Sequence, residues 1–181
     1  GDREVLLPEI FKFIESLGCQ LDIYKLGENS KLEEKLTICD VKLLIQTLNE
    51  DETVHGIMIQ LPLPKSLKDK RNEIINMIDD SKDVDGLKEE SKFLHPTSKA
   101  IMETLAMAIF ETKQEVLTVC VVGATGMVGK PIVKELKKLG YIVLEADSKT
   151  QDLKNLTLQA DCIISATGIM NLITTDMVRE E

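Results

Sequence analysis

An amide and two carboxylates in the first half of the sequence have the types and spacing that can bind a small polar ring. Gln60 lies in the otherwise apolar stretch 56–61, and Asp83 and Asp85 lie in a turn closed by Gly86. An amide in an apolar stretch needs a hydrogen-bond partner if it is buried. A carboxylate held in a cleft can bind a ring with paired N–H donors, such as a pterin. Aspartates in turns, however, usually cap the backbone or are solvated.

A glycine-rich turn in the second half has the form of a phosphate-binding loop. Gly123, Gly126 and Gly129 are spaced G-x-x-G-x-x-G, directly after a strand-like run and directly before a helical pattern. Glycine lets the backbone approach a phosphate, and the N-terminus of the next helix presents N–H groups to it. The spacing differs from the usual G-x-G-x-x-G, so a tight turn that needs glycine only for packing is the alternative.

Polar residues after the next two strand-like runs extend this candidate nucleotide site. Asp147 follows the run 141–146, about where an acidic residue would meet an adenosine ribose. A carboxylate there favours NAD, because it would repel the 2′-phosphate of NADP. Gly168 ends the run 163–168 and could let the chain pass beside the nicotinamide. The alternatives are an aspartate that caps a turn beside Ser148, and a strand-ending glycine without a ligand.

Strand-like and helical patterns alternate along the chain, which predicts the α/β class with parallel sheets. The predicted strands are 21–26, 54–61, 116–122, 141–146 and 160–166. Helical spacing is predicted around 10–17, 41–48, 67–78, 101–109 and 133–139, and residues 79–98 are predicted to be loop. We place a domain boundary near residue 111, between a first lobe (1–110) and an incomplete Rossmann-type lobe (111–181).

Composition and charge exclude several classes of function. The 181 residues carry a net charge of −9, so the chain would repel nucleic acid and anionic membranes. Four widely spaced cysteines and two histidines give no metal-ligand pattern. No apolar run approaches the roughly 18 residues of a membrane span. We therefore expect a cytoplasmic protein with a small-molecule partner and no metal.

The ordered motifs resemble the methylenetetrahydrofolate dehydrogenase/cyclohydrolase family, and the resemblance covers nearly the whole chain. It is carried by Gly56-Ile-Met-Ile-Gln-Leu-Pro-Leu-Pro64, Lys82-Asp-Val-Asp-Gly86, Val122-Gly-x-x-x-x-Val-Gly-Lys-Pro131, Ser148-x-Thr150, Ala160-Asp161, Ala166-x-Gly168 and Ile173-Thr-x-Asp-Met-Val178. The resemblance implies two α/β lobes facing each other across a folate cleft. It also implies hydride transfer from methylenetetrahydrofolate to a nicotinamide, followed by hydration of the methenyl product to 10-formyltetrahydrofolate.

The resemblance further implies roles for individual residues. Gln60 would bond a catalytic lysine, and Asp85 would anchor the pterin of a tetrahydrofolate derivative. NAD or NADP would contact the glycine turn and the two following strand ends. The residues concerned are Gly123, Ala124, Thr125, Gly126, Val128, Gly129, Asp147, Ser148, Thr150, Thr167 and Gly168. Family members are commonly homodimers, and we expect a homodimer or part of a larger chain.

The chain departs from the family pattern where a catalytic tyrosine and lysine are expected. Counting back from Gly18 puts these positions at Leu6 and Ile10, whereas counting forward from the first two residues gives Glu9 and Phe13. Neither register supplies Tyr-x-x-x-Lys, and an alkyl side chain cannot transfer protons. We expect weak or absent cyclohydrolase activity, with hydride transfer less affected because it depends more on orientation. A non-catalytic folate- or nucleotide-binding relative is the alternative.

Further departures concern the cofactor and the chain ends. Ala124-Thr125 stand where the family often has Arg-Ser for the NADP phosphate, and Asp147 replaces a histidine. Both changes favour NAD, or no cofactor, over NADP. His95-Pro-Thr-Ser98 replaces a Pro-Cys-Thr-Pro stretch. Family elements are missing at both ends, so we expect a fragment or an incompletely observed chain.

Overall fold

The computed structural model describes residues 12–25, 37–113 and 115–179. Its elements in chain order are α1 (residues 12–16), α2 (Ile38–Glu50), a 3-10 helix (Lys65–Lys70), α3 (Arg71–Asn76), α4 (Pro96–Thr112), β1 (Thr118–Val122), α5 (Gly129–Lys138), β2 (Ile142–Ala146), α6 (Leu153–Leu158), β3 (Cys162–Ser165) and a second 3-10 helix (Thr175–Met177). Helices alternate with parallel strands in the second half, which confirms the predicted α/β class.

The second half is built on a three-stranded parallel sheet in the order β2-β1-β3. Side chains of α4 and α5, among them Leu105, Ile132 and Leu136, pack with Val119 and Val121 on one face of β1. Leu153 and Leu156 of α6 pack with Cys120 and Val122 on the other face. Because both faces are covered, β1 is a nearly continuous apolar run. The three strands predicted here are confirmed, each with shorter bounds.

The first half packs helices around a separate apolar core. α2 begins with a capping box, in which the Thr37 hydroxyl accepts the Asp40 N–H and the Asp40 carboxylate accepts the Thr37 N–H. The buried members of this core come from α2, the segment before the cis Leu61–Pro62 peptide, the first 3-10 helix, α3 and the turn after α3; they are Val41, Ile45, Ile57, Leu67, Ile74 and Ile78. The helix predicted around 67–78 is therefore divided between a 3-10 helix and α3.

The two strands predicted for the first lobe, 21–26 and 54–61, were wrong for the residues that the structure describes. A strand needs a neighbouring strand to complete its hydrogen-bond ladder. The Ile57 N–H instead donates to the carbonyl of Lys82, which lies in a loop, at 2.8 Å. Ile57 of this run is buried, and Val54 and Ile59 are half-buried, against the core that the helices form, which gives the same sequence signal as strand burial.

Helix α4 begins earlier than the sequence pattern indicated. Pro96 occupies its first turn, where the missing N–H carries little cost, so the predicted loop 79–98 ends at His95. Leu105 packs α4 against the sheet core of the second half. The division at residues 110 and 111 stays a prediction.

Asp161, the residue directly before β3, forms hydrogen bonds with the backbone at the start of β1. Its carboxylate accepts the N–H groups of Leu117 at 3.0 Å and Thr118 at 2.8 Å, and Arg179 donates to it at 2.6 Å. The Thr118 N–H, then Arg179 and the Leu117 N–H, lower the pKa of Asp161 to about 2. A carboxyl whose pKa is lowered on folding stabilises the fold above its unfolded pKa, and this contribution is lost as the pH falls through the folded value.

We expect Asp161→Asn to lower the melting temperature at neutral pH, with the difference from wild type shrinking as pH falls from about 4 to about 2. Circular dichroism melts between neutral pH and pH 2 measure this difference. Arg179→Gln, which leaves both backbone hydrogen bonds, should cost less at neutral pH. A melting-temperature difference that stays constant across this range would contradict the assignment.

Candidate functional site

The carboxyl ends of the three strands lie side by side at one edge of the sheet. Val122 is in register with Ala146 of β2 and Ser165 of β3. Beyond Val122, the N–H groups of Gly123 and Ala124 both donate to the Ala146 carbonyl, at 2.8 and 3.0 Å. Because β2 and β3 lie on opposite sides of β1, this edge is a topological switch point, where open α/β sheets bind ligands.

Two glycines of the turn after β1 pack backbone against backbone. Gly123 has φ +88, and a Cβ on it would lie 2.6 Å from the Ala166 carbonyl oxygen. A Cβ on Gly129, the first residue of α5, would lie 2.1 Å from the Gly123 carbonyl oxygen. Thr125 and Gly126, between them, are exposed. The turn therefore needs glycine for packing and also presents exposed backbone at the start of α5, the geometry that suits a phosphate.

The turn after β2 holds the predicted ribose-binding residues. The Asp147 N–H donates to the Thr150 hydroxyl at 2.9 Å, and the Asp147 Oδ1 accepts the Lys149 N–H at 2.8 Å. Asp147 is half-buried, and Ser148 is exposed. Asp147 thus caps its own turn through one carboxylate oxygen while lying at the strand edge where a ribose would be held.

The residues after β3 leave a buried polar atom unpaired. The Thr167 hydroxyl oxygen is buried and has no hydrogen-bond partner within the described part of the chain. The methyl group of Thr167 would be 3.0 Å from a Cβ on Gly123, so the Thr167 side chain lies beside the glycine turn. An unpaired buried hydroxyl costs about 1–3 kcal/mol, which a bound polar group would recover. Thr167 and the exposed Gly168 therefore fit the nicotinamide half of a dinucleotide.

A pocket joins the first lobe to the glycine turn. Its wall contains Leu61, Pro62, Leu63, Lys68, Arg71 and Met127. The Arg71 guanidinium lies 2.9 Å from the Met127 sulfur. Gln60, adjacent to this wall, is exposed, and its side-chain N–H donates to the Leu61 carbonyl at 3.2 Å. Sequence reasoning missed Arg71 and Met127, because nothing in the local pattern relates positions so far apart in the chain.

The two aspartates of the 82–86 loop have different environments. Asp83 is fully buried, and its carboxylate accepts the N–H groups of Leu87 at 3.1 Å and Lys88 at 3.0 Å. Asp85 is half-buried; burial raises the pKa of its carboxyl, the nearby charge of His95 opposes this, and Asp83 adds to it. Asp83 therefore holds the loop, and Asp85 is the carboxylate available for a ligand.

Lys82 fixes this loop to the end of α2. Its ammonium donates to the carbonyls of Leu48, Asn49 and Asp51 at 2.8–2.9 Å. Cations at a helix C-terminus pair with carbonyls that have no partner within the helix.

Some predictions concern residues or features beyond these contacts. Leu6 and Ile10 lie outside the described residues. Within 12–25, 37–113 and 115–179, no cluster of three or more His, Cys, Asp or Glu side chains could hold a metal ion. The same residues contain no helix with the length and apolar character of a membrane span.

The fold and the site define a protein whose second half is a Rossmann-type dinucleotide-binding unit and whose first half adjoins it at a pocket. The chain belongs to the tetrahydrofolate dehydrogenase/cyclohydrolase family. Residues 10–85 match the catalytic domain of that family, and residues 95–181 match its NAD(P)-binding domain. This confirms the family to which the motifs pointed.

Individual relatives agree with the family assignment. The chain is 38% identical to the bifunctional protein FolD of Campylobacter jejuni over 179 residues, 93% of this chain and 60% of the relative. It is 36% identical to FolD of Lactobacillus acidophilus, covering 92% of this chain and 58% of the relative. The chain thus spans about 60% of the length of these curated relatives.

Solved structures agree in fold. The bifunctional FolD dehydrogenase/cyclohydrolase of Campylobacter jejuni superposes with a TM-score of 0.82 at 36% identity, over 99% of this chain and 65% of that one. The bifunctional enzyme of Thermoplasma acidophilum superposes with a TM-score of 0.80 at 23% identity, over 97% of this chain and 62% of that one, a likeness of fold alone.

Proposed function

We propose that this chain is an NAD(P)-dependent methylenetetrahydrofolate dehydrogenase of folate one-carbon metabolism, with little or no methenyltetrahydrofolate cyclohydrolase activity. The observation that carries the proposal is the pocket in which Leu61 and Leu63, beside Gln60, meet Met127 of the glycine turn. A hydride transfer needs the folate carbon and the nicotinamide held together in one cleft. The relatives described as bifunctional FolD enzymes support the same chemistry.

The residues divide the work of binding between the two lobes. Asp85, the available carboxylate of its loop, anchors the pterin N–H groups. With a dinucleotide bound, the exposed turn at Thr125 and Gly126 would lie at the pyrophosphate, Asp147 would accept from the ribose, and the Thr167 hydroxyl would orient the carboxamide. When bound, the nicotinamide ring supplies the hydride acceptor. No proton transfer is required of these side chains during the hydride step.

A non-catalytic relative that binds folate or nucleotide is the second candidate. It is favoured by Leu6 and Ile10 in place of a tyrosine and a lysine. With those residues, Gln60 has no lysine to orient. Its contact with the Leu61 carbonyl is the only hydrogen bond described for its side chain.

We also retain three narrower proposals. These are a boundary between lobes at residues 110 and 111, a cytoplasmic location, and assembly as a homodimer or within a larger chain.

We expect NAD to bind more tightly than NADP and to support faster oxidation of methylenetetrahydrofolate. Asp147→Asn keeps the oxygen that accepts the Lys149 N–H but removes the charge that repels a 2′-phosphate. A like-charge contact near the surface costs on the order of 1 kcal/mol. The ratio of the NADP Kd to the NAD Kd should therefore fall about fivefold in this variant. Calorimetric titration with each dinucleotide measures the preference, and reduced-nicotinamide absorbance measures turnover.

Asp152→Asn is the matched control, because Asp152 lies a few residues further on and caps α6 by accepting the Asn155 N–H. It removes the same charge and should leave the preference unchanged. Tighter binding of NADP by the wild type would refute the role of Asp147. Binding of dinucleotide and folate without any oxidation would favour the non-catalytic candidate.

A further inference from the structure

We propose that Ser98 is a positioning residue. It couples the loop 82–86, called here the folate loop because it carries Asp85, to the glycine turn 123–129. The inference rests on the proposed function and adds to it that occupancy of one site strengthens binding at the other. Ser98 lies outside the residues that the sequence motifs assign to either site.

The contact between Ser98 and the glycine turn is a buried hydrogen bond. Ser98 is fully buried in the first turn of α4, and its hydroxyl donates to the Val128 carbonyl at 3.0 Å. A hydrogen bond that is sheltered from water is little weakened by exchange with solvent or by salt. Ser98 therefore fixes the position of the backbone at which the glycine turn becomes α5.

A displacement of Val128 would also move the residues at the carboxyl-terminal edge of the sheet, where the dinucleotide is proposed to bind. Val128 precedes Gly129, which packs so closely that a Cβ on it would lie 2.1 Å from the Gly123 carbonyl oxygen. Gly123 in turn donates to the Ala146 carbonyl and borders Thr167, which carries the unpaired hydroxyl. Tightly packed groups of this kind move together.

The other end of the same helix turn touches the folate loop. The backbone nitrogen of His95 would lie 2.7 Å from a Cβ on Gly86, the residue after Asp85. His95 caps α4, and Ser98 follows it by one helical turn. A buried nitrogen of His95, Nδ1, has no hydrogen-bond partner in the described residues, so this corner also has unused polar capacity beside Asp85. Residues 95–98 thus connect the Asp85 loop to the Val128 carbonyl within one turn of helix.

Two ion pairs run parallel to this connection but are exposed. Lys130 pairs with Glu89, with exposed side-chain fractions of 60% and 70%, and Lys134 pairs with Glu90, with fractions of 47% and 83%. Exposed pairs contribute little and are screened by salt. The buried Ser98 bond is therefore the connection that would carry the coupling at high ionic strength.

The experiment is a thermodynamic cycle on the intact chain. The Kd of NAD is measured by calorimetry with and without saturating 5-formyltetrahydrofolate, a reduced folate that donates no hydride. We expect about fivefold tighter NAD binding in the presence of the folate, the lower end of typical coupling. In Ser98→Ala the ratio of the NAD Kd without folate to the NAD Kd with folate should fall below about twofold. One hydrogen bond contributes a few-fold in an equilibrium constant. Ser98→Cys, with a similar volume and a weaker donor, should give an intermediate ratio.

Thr104→Ala is the matched control on the same helix, because the Thr104 hydroxyl donates to the Ala100 carbonyl, one turn earlier, and to no other group in the described residues. It should keep the fivefold ratio, and so should wild type in about 1 M salt, where the Debye length is about 3 Å. A wild-type ratio retained by Ser98→Ala, or lost in salt, overturns the role of Ser98. Binding of both ligands without coupling in wild type overturns the inference alone. Failure of the folate to bind overturns the proposed function and this inference with it.

Discussion

Gly129→Ala is expected to abolish dinucleotide binding and to lower the free energy of unfolding by about 3 kcal/mol, the upper range for overpacking a tight site. The added Cβ would lie 2.1 Å from the Gly123 carbonyl oxygen, and that atom belongs to a backbone held by the Ala146 carbonyl. No side-chain rotation can relieve a clash between Cβ and backbone. The turn after β1 must therefore open, which moves the start of α5 away from a phosphate.

Urea denaturation measures the stability of this variant, and calorimetry measures its binding of NAD. Gly168→Ala is the control for stability, because a Cβ there would have no heavy atom within 4 Å. It should unfold at the wild-type urea concentration. If Gly129→Ala retained the wild-type midpoint and bound NAD normally, the close packing of Gly129 against Gly123 would not be required.

Hydrolysis of methenyltetrahydrofolate is expected to be about 10²- to 10⁴-fold slower than in a relative with the Tyr-x-x-x-Lys pair, the usual loss when a general acid or base is removed. Counting back from Gly18 places that pair at Leu6 and Ile10, and the alternative register, at Glu9 and Phe13, does not supply it either. The loss of methenyl absorbance measures the rate, with a family member that carries the Tyr-x-x-x-Lys pair as comparator.

The double variant Leu6→Tyr with Ile10→Lys should recover at least part of this rate, because Gln60 would regain a lysine to orient. Lys12 is exposed and two residues from the expected position, about 200° around a helix. Lys12→Gln is therefore the control and should leave the slow wild-type rate unchanged. Wild-type hydrolysis as fast as that of the comparator would refute the register that places the pair at Leu6 and Ile10.

The second half of the fold could be predicted because its sequence signals are local and agree with one another. The apolar run of β1, the glycine turn and the amphipathic spacing of α5 follow each other without interruption. A parallel strand buried on both faces has few alternatives once a helix follows it. Gly123, Asp147 and Thr167 each follow a strand of the parallel sheet, so they lie together at its carboxyl-terminal edge.

The first half could not be predicted in the same way, because its signals depend on distant partners. The run 54–61 is apolar enough for a strand, but the Ile57 N–H donates to the carbonyl of Lys82, 25 residues further on. The buried donor Ser98 and the contact between Arg71 and Met127 likewise leave no local trace. Asp83 and Asp85 are equivalent in sequence, and only burial separates Asp83, which caps a turn, from Asp85, for which we propose a contact with the pterin.

The attachment of Lys82 to the end of α2 has a consequence for ligand affinity. Its three hydrogen bonds to carbonyls at the end of α2 and of the cap residue Asp51, together with the two that Asp83 accepts, order the loop during folding. Ordering the backbone costs about 1–2 kcal/mol for each residue fixed. Because the fold has already met this cost, the Asp85 carboxylate is preorganised, and the folate binding proposed for it would carry no further entropic penalty for arranging the loop.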